Sequence, residues 1–235
     1  TTGDNNASVG FNSMVFNTTG ADNAALGTNA LQANTTGNYN TAVGRHALTA
    51  NTTASENTAV GYAALKTNTT GAGNVAVGKD AFFDLTTGNG NTACGFGAGG
   101  NATTTDHSVF VGYEAGGSAN VTGHDNVLVG FRAAYDLTGG GQTNTSVGSQ
   151  TLYYISGGYD NTAVGFTAGH EISSGHNNIC IGHNAGRSTS PSGSITTGSD
   201  TICLGDNDIN DLFCADTSIS SSDSNLTAWR SASPS

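Results

Sequence analysis

A glycine that recurs about every 17 residues most constrains what this chain can fold into. Each one closes a short apolar segment, as in Asn57-Thr58-Ala59-Val60-Gly61. Successive closing glycines are separated by 17 residues six times and then by 18, 18, 17, 17 and 23, at Gly10, Gly27, Gly44, Gly61, Gly78, Gly95, Gly112, Gly130, Gly148, Gly165, Gly182 and Gly205. A fixed period in this range predicts a repeat architecture in which each repeat stacks on its neighbours.

The segment before each closing glycine has the alternation of a β-strand. Thr, Val, Ala or Ile lies three residues before the glycine, a small residue two before, and mostly Val one before, as in Thr41-Ala42-Val43. Side chains alternate between the faces of a strand, so the first and third columns share one face. Both faces are apolar, which indicates that neither is solvated in the usual way. We expect the Thr and Val columns to fill a coil and the alanine column to pack against another surface.

The rest of the repeat predicts a closed coil. A second glycine usually lies seven residues before the closing one, which indicates a second turn. An apolar pair such as Ala47-Leu48 follows the closing glycine and predicts a second, shorter strand. The fold class is therefore all-β, a parallel β-roll or β-solenoid of about twelve 17-residue coils over residues 1–205 and roughly 50 Å long. Residues 206–217 are expected to form a cap or neck, and residues 218–235 a Ser-rich tail.

An asparagine column lies four residues before the closing glycine. Side chains of one column stack in successive coils, so we expect each amide to bond the next in a ladder that satisfies polar groups of the turn. The members of this ladder are Asn6, Asn23, Asn40, Asn57, Asn74, Asn91, Asn126, Asn144, Asn161 and Asn178.

Composition excludes several classes of partner. The net charge is −11, and only six residues are basic, without any cluster. Binding of nucleic acid or of an anionic membrane needs clustered basic residues, so neither is expected. No apolar run approaches the roughly 18 residues of a membrane-spanning helix. The chain begins inside a repeat, so we expect a processed product or a fragment of a longer protein.

No motif for catalysis, a metal or a cofactor stands out. The four cysteines lack CxxC spacing and are expected to be buried thiols. The six histidines form neither HxH nor HExxH. Asp206, Asp208 and Asp211 resemble a calcium cluster but lack the Gly and Glu of a binding loop, which favours solvated acids. We therefore predict that the protein is not an enzyme and has no cofactor.

A line of sequons suggests glycosylation. Asn-Thr-Thr recurs at intervals of 17 and would place glycans along one edge of the stack if the source modifies secreted proteins. The alternative is that Asn and Thr simply suit the turns. The four candidate positions are Asn17, Asn34, Asn51 and Asn68.

The repeat Gly-x-x-Asn-Thr-Ala-Val-Gly-x-x-Ala-Leu resembles the head repeats of trimeric autotransporter adhesins. It is still more similar to repeats of phage tail fibres that precede an intramolecular chaperone, over about residues 3–205. The resemblance implies a left-handed β-roll, three chains around one axis, and alanine-type faces packed between chains. The implied chain–chain interface comprises Ala25, Ala42, Ala59, Ala76, Ala93, Phe110, Leu128, Ala163, Cys180 and Cys203.

A second resemblance concerns residues 217–224. They are similar to the segment before an endosialidase-type chaperone, which cleaves itself off beside a Ser-Asp pair. This would place a processing site near Ser222-Asp223, but the basic residues expected next are replaced by Asn225, Thr227 and Ala228.

Together these features predict a structural and adhesive fibre on a virion or cell exterior. Its partners would be further copies of itself, as a homotrimer, and a host-surface glycan or protein receptor. The alternatives are a head-to-tail extracellular filament and an ice-binding solenoid, which would need a regular grid of outward threonines. Recognition is expected at Arg45-His46, Tyr62, Lys79-Asp80, Tyr113-Glu114, Phe131-Arg132 and the loop at 187–198.

Overall fold

The protein is an all-β solenoid. The computed structural model describes residues 3–118, 120–189 and 193–206. These contain twelve strands of three residues each and no helix: Ala7–Val9 (β1), Ala24–Leu26 (β2), Thr41–Val43 (β3), Thr58–Val60 (β4), Val75–Val77 (β5), Thr92–Cys94 (β6), Val109–Val111 (β7), Val127–Val129 (β8), Thr145–Val147 (β9), Thr162–Val164 (β10), Ile179–Ile181 (β11) and Ile202–Leu204 (β12). The predicted solenoid class is confirmed.

All twelve strands belong to one parallel sheet in chain order, β1 to β12. Equivalent repeat positions pair in register, so Ala42 lies opposite Ala59 and Val43 opposite Val60. The register survives the 18-residue repeats, where Phe110 pairs with Leu128. It also survives the 23-residue interval, where Cys180 pairs with Cys203. The extra residues are therefore accommodated outside the strands, and each sequence column becomes a line of stacked side chains.

The predicted second strand is wrong. The apolar pair after each closing glycine lies in a run of turns, and in coil three both His46 and Leu48 have positive φ (63° and 50°). Alternation of left-handed and right-handed residues cannot form an extended strand. The turns still bond between coils, since the Leu48 amide donates to the Ala64 carbonyl at 3.0 Å.

The structure also reverses the predicted facing of the strand columns. Ala25, Ala42, Ala59, Ala76, Ala93, Phe110, Leu128, Ala163, Cys180 and Cys203 are buried inside the coil of a single chain, so they are not a chain–chain interface. The Thr and Val columns point outward instead. The cause is the width of the coil: Leu48 and its column equivalents are fully buried and fill the interior from the turn side, which leaves room only for a small strand residue.

Exceptions to the alanine column are compensated across the coil. Phe110 replaces alanine in β7, and Gly116 lies in the same coil where other repeats have Leu. A Cβ on Gly116 would lie 2.5 Å from the Phe110 ring, and one on Gly99 would lie 2.5 Å from the Phe82 ring. The two phenylalanines pack edge to face at 5.2 Å. The core thus keeps its volume by exchanging large and small residues, across the coil at Phe110 and Gly116 and between neighbouring coils of the turn-side column at Phe82 and Gly99.

Only a part of the predicted C-terminal regions falls within the described residues. Asp206 is described, whereas the remainder of the expected cap or neck at 206–217 and all of the tail at 218–235 lie outside. Asp208, Asp211 and Ser222-Asp223, with its expected processing site, lie outside as well.

Candidate functional site

One corner of the coil is occupied by the predicted asparagine ladder. The Asn23 side-chain amide donates to Asn6 Oδ1 at 3.2 Å and to the Gly37 carbonyl at 2.8 Å, and the Asn23 backbone amide also donates to Asn6 Oδ1 at 2.9 Å. The same bonding from backbone amide to side-chain oxygen recurs at Asn40, Asn57, Asn74, Asn91, Asn144, Asn161 and Asn178. These residues hold the turn together, since buried polar groups need partners.

The proposed glycosylation column is a second asparagine ladder. Asn17, Asn34, Asn51 and Asn68 are all buried. The Asn34 side-chain amide donates to Asn17 Oδ1 at 2.8 Å and to the Gly37 carbonyl at 3.0 Å. A glycan on this nitrogen would require the side chain to leave the core and break both bonds. The glycosylation prediction is therefore wrong for the folded chain.

The second ladder ends where the column turns aliphatic. The next member after Asn68 is Leu85, which has no donor to offer, and Asn68 Oδ1 is a buried atom without a hydrogen-bond partner. From Leu85 onward the column is buried and apolar, with Leu137, Ile155 and Ile172 among its members. This corner is therefore stabilised by asparagine hydrogen bonds in the N-terminal coils and by packed aliphatic side chains in the later ones.

The outer face of the sheet is a continuous apolar strip. Two outward positions on each of twelve strands make 24 side chains, and all are Ala, Thr, Val, Cys, Ile or Leu. Exposed members include Leu26, Val60, Val77, Val164 and Ile181. A chain with 17 acidic and 6 basic residues places none of its charges here. The strip is about 50 Å long, since eleven steps separate twelve strands about 4.8 Å apart.

An aromatic column borders this strip. Phe96, Tyr113 and Phe131 each follow a closing glycine and are half exposed. Their rings stack, with centroids 5.1 Å apart between Phe96 and Tyr113 and 5.6 Å apart between Tyr113 and Phe131. The Lys79 ammonium lies 4.7 Å from the Phe96 centroid. The predicted recognition residues of these coils thus form one surface.

Two ion pairs adjoin the aromatic column. Lys79 Nζ lies 2.9 Å from Asp80, and a hydrogen bond from Lys79 to that carboxylate raises the lysine pKa. Arg132 Nε donates to Glu114 Oε2 at 2.8 Å, and this hydrogen bond raises the arginine pKa. In coil three, burial and the charge of Arg45 lower the His46 pKa, and its ring meets Tyr62 edge-on at 6.2 Å.

A groove of about 290 Å³ lies on the turn side of coils five to seven. Its lining comprises Asp80, Phe83, Gly97, Gly100, Asn101, Glu114 and Gly117 and includes no strand residue. Asp80 and Glu114 belong to the predicted recognition residues, whereas Phe83, the three glycines and Asn101 were not predicted from the sequence. One feature of the sequence could have indicated the groove. The position five residues after the closing glycine has a large side chain at Lys66 and Phe83 but is glycine at Gly100 and Gly117 in the next two coils.

The insertion loop is described only in part, because residues 190–192 fall outside the described ranges. Ile195 returns to the core and is buried, and its amide donates to the Gly186 carbonyl at 3.0 Å. Arg187 Nη1 donates to Asn184 Oδ1 at 3.2 Å, and Ser194 donates to the Glu171 carboxylate. The insertion is therefore fixed to the solenoid at both of its described ends.

The thiols have unequal environments. The prediction of buried thiols is wrong for Cys94, which lies on the outer strip and is exposed. It is confirmed for Cys180 and Cys203, which are paired in register, and Cys214 lies outside the described residues. Burial, with the neighbouring Cys203, raises the pKa of the Cys180 thiol to about 12.

We expect Cys180 and Cys203 to resist alkylation by iodoacetamide at pH 8 in the folded protein. Only about one Cys180 thiol in 10⁴ would be ionised at that pH, and the thiolate is the reactive form. Peptide mass mapping before and after unfolding in guanidinium measures the modification at each cysteine. Comparable labelling of Cys180 in both states would contradict the described core.

The described residues contain no group of three or more His, Cys, Asp or Glu side chains that could hold a metal ion. Within the same part of the chain, no helix is long and apolar enough to cross a membrane. Comparisons with protein-family models, with curated proteins and with solved structures found no match to this chain.

Proposed function

We propose that the protein is a structural fibre of a cell or virion exterior, assembled from parallel copies and used for attachment. The observation that carries the proposal is the uncharged strip on the outer face of the sheet. Soluble monomers rarely expose contiguous apolar patches larger than a few hundred Å². A strip about 50 Å long and about 10 Å wide has an area of about 500 Å², within the size range of the largest apolar patch on a typical monomer, which is often functional, and the aromatic column widens it further.

A second copy of the chain suits this strip better than other occupants do. The strip is regular from end to end, so a copy lying parallel would meet equivalent side chains along the whole length. Its 24 uncharged positions keep carboxylates out of the contact, so the repulsion due to a net charge of −11 acts only between more distant and more screened groups. Three copies around one axis would let each strip contact two neighbours, in agreement with the resemblance of the repeat to trimeric fibre proteins.

Ice binding receives less support. Thr41, Thr58 and Thr92 do point outward, contrary to the expectation that they fill the coil. Their column is interrupted by Ala, Val and Ile, and the companion column on the described strands contains no threonine. The strip therefore lacks the two-threonine grid that this function needs.

The mass in solution tests the proposal. Light scattering coupled to size-exclusion chromatography should give about three times the chain mass of 23.4 kDa, unchanged over a hundredfold range of concentration. Masses that grow with concentration would favour the head-to-tail filament. A stable monomer would overturn the proposal, since the strip would then be exposed to water.

A further inference from the structure

We propose that the groove of coils five to seven binds one neutral pyranose ring of a surface glycan. This inference rests on the proposed attachment function and names the class of ligand that the fibre would hold. Its grounds are the shape of the groove, one aromatic ring, and three polar side chains around it.

The shape arises from missing side chains in two successive coils. Lys66 and Phe83 occupy one column in coils four and five, and Gly100 and Gly117 follow in coils six and seven. Their absence leaves a recess about 10 Å long, two coil spacings along the axis. A volume of about 290 Å³ lies at the small end of ligand sites, which suits one sugar ring better than an extended peptide.

Phe83 forms one wall of the recess. The Lys66 ammonium lies 4.6 Å from the ring centroid and covers the side towards coil four. The next residue of the column is Gly100, so the opposite side of the ring borders the groove. The C–H bonds on one face of a pyranose present partial positive charge and apolar surface, which complement the negative face of an aromatic ring.

Polar groups line the remaining walls. Asp80 and Glu114 are oriented by their ion pairs with Lys79 and Arg132, and each carboxylate retains further sites that accept hydrogen bonds. Asn101 Nδ2 donates to the Gly117 carbonyl at 2.5 Å, which directs its side-chain oxygen as another acceptor. Sugar hydroxyls are the donors that such acceptors require.

Charge restricts the class of sugar. Among the described residues that line the groove, the charged ones are the two carboxylates Asp80 and Glu114, whose paired cations Lys79 and Arg132, like Lys66 behind Phe83, are not part of the lining. The acidic group of a sialic acid, a uronate or a phosphorylated sugar would have to lie against these carboxylate oxygens, which accept hydrogen bonds but repel an anion at contact. Neutral pyranosides meet no such penalty.

Saturation-transfer NMR on the full-length assembled protein tests the inference. The probes are the methyl pyranosides of glucose, galactose, mannose and N-acetylglucosamine, with N-acetylneuraminic acid as the anionic comparison. We expect transfer to the ring C–H protons of at least one neutral probe and none to the acid. Transfer to no neutral probe, or stronger transfer to the acid, would overturn the inference.

Two variants locate the site. Gly100→Gln fills the groove. Its backbone φ is not in the left-handed region, and an added Cβ would lie 3.2 Å from the Gly97 carbonyl oxygen, so a small local shift should accommodate the substitution, and circular dichroism checks that the coil is preserved. Thr49→Gln is the matched control, in the same column three coils away, where Gln32 occurs naturally in coil two. We expect Gly100→Gln to weaken binding at least tenfold and Thr49→Gln to leave it unchanged.

Phe83→Leu provides an independent variant, because it removes the aromatic wall and keeps an apolar side chain. We expect at least fivefold weaker binding. Binding that persists in both groove variants, or that is lost in Thr49→Gln, would overturn the inference. Trimer formation without sugar binding would refute this inference alone, whereas sugar binding by a monomer would refute the proposed assembly alone.

Discussion

Gly61→Ala should destabilise the protein by about 3 kcal/mol or more, a loss that we expect at closing glycines in general and that is large for the addition of one methyl group. Gly61 has φ of 140°, a region that non-glycine residues adopt only with strain. A Cβ there would also lie 2.3 Å from the Gly78 carbonyl oxygen and 2.6 Å from its carbon. Neither atom can move without shifting the neighbouring coil. For a chain of this size the melting temperature should fall by roughly 6–12 °C.

Two other glycines separate the causes of this effect. Gly73 has φ of 68° but no atom closer than 3.9 Å to an added Cβ, so Gly73→Ala should cost only about 1 kcal/mol. Gly157 lacks positive φ and has nothing within 4 Å, so its change to Ala should alter stability by less than about 0.5 kcal/mol. Thermal unfolding of the three variants measures the series. Equal melting temperatures would show that the nearby Gly78 carbonyl does not restrict position 61 to glycine.

The period of the closing glycine predicted the solenoid because stacking requires equivalent residues in successive coils. It could not predict which strand face points inward. Alternation places Thr58 and Val60 on one face and Ala59 on the other, but both faces are apolar. The deciding fact is that Leu65, from the turn side of the same coil, already fills the interior. That contact depends on where the chain turns, and the turn has the apolar pair that is also typical of a short strand.

The functional surfaces were predictable only in part for a related reason. Asn57 and Asn68 recur with the same period and both form ladders, but the motif at Asn68 also reads as a sequon. Burial of the side chain, which the motif does not encode, decides against modification. Gly100 likewise marks a groove only after the column that it shares with Lys66 and Phe83 has been placed on the outer surface.

Placing aspartate at three positions along the outer strip should convert the assembly to monomers. Val60, Val129 and Val164 point away from the core, so Val60→Asp, Val129→Asp and Val164→Asp together leave the packed interior intact. In a trimer the substitutions would bury nine carboxylates without partners, and each unpaired buried charge costs several kcal/mol. Light scattering should therefore give a mass near 23.4 kDa, with an unchanged far-ultraviolet circular dichroism spectrum.

A matched variant separates the position of the charges from their number. Thr36→Asp, Thr70→Asp and Thr104→Asp add the same three negative charges at exposed positions outside the strands, and this variant should remain trimeric. The rate at which Cys94 is alkylated is an independent measure of whether the strip is covered, because Cys94 lies on the strip itself. Iodoacetamide should modify it slowly in the wild type and in the threonine variant, and rapidly in the valine variant. If both triple variants stay trimeric and Cys94 reacts equally in all three proteins, the copies associate through a surface other than the sheet.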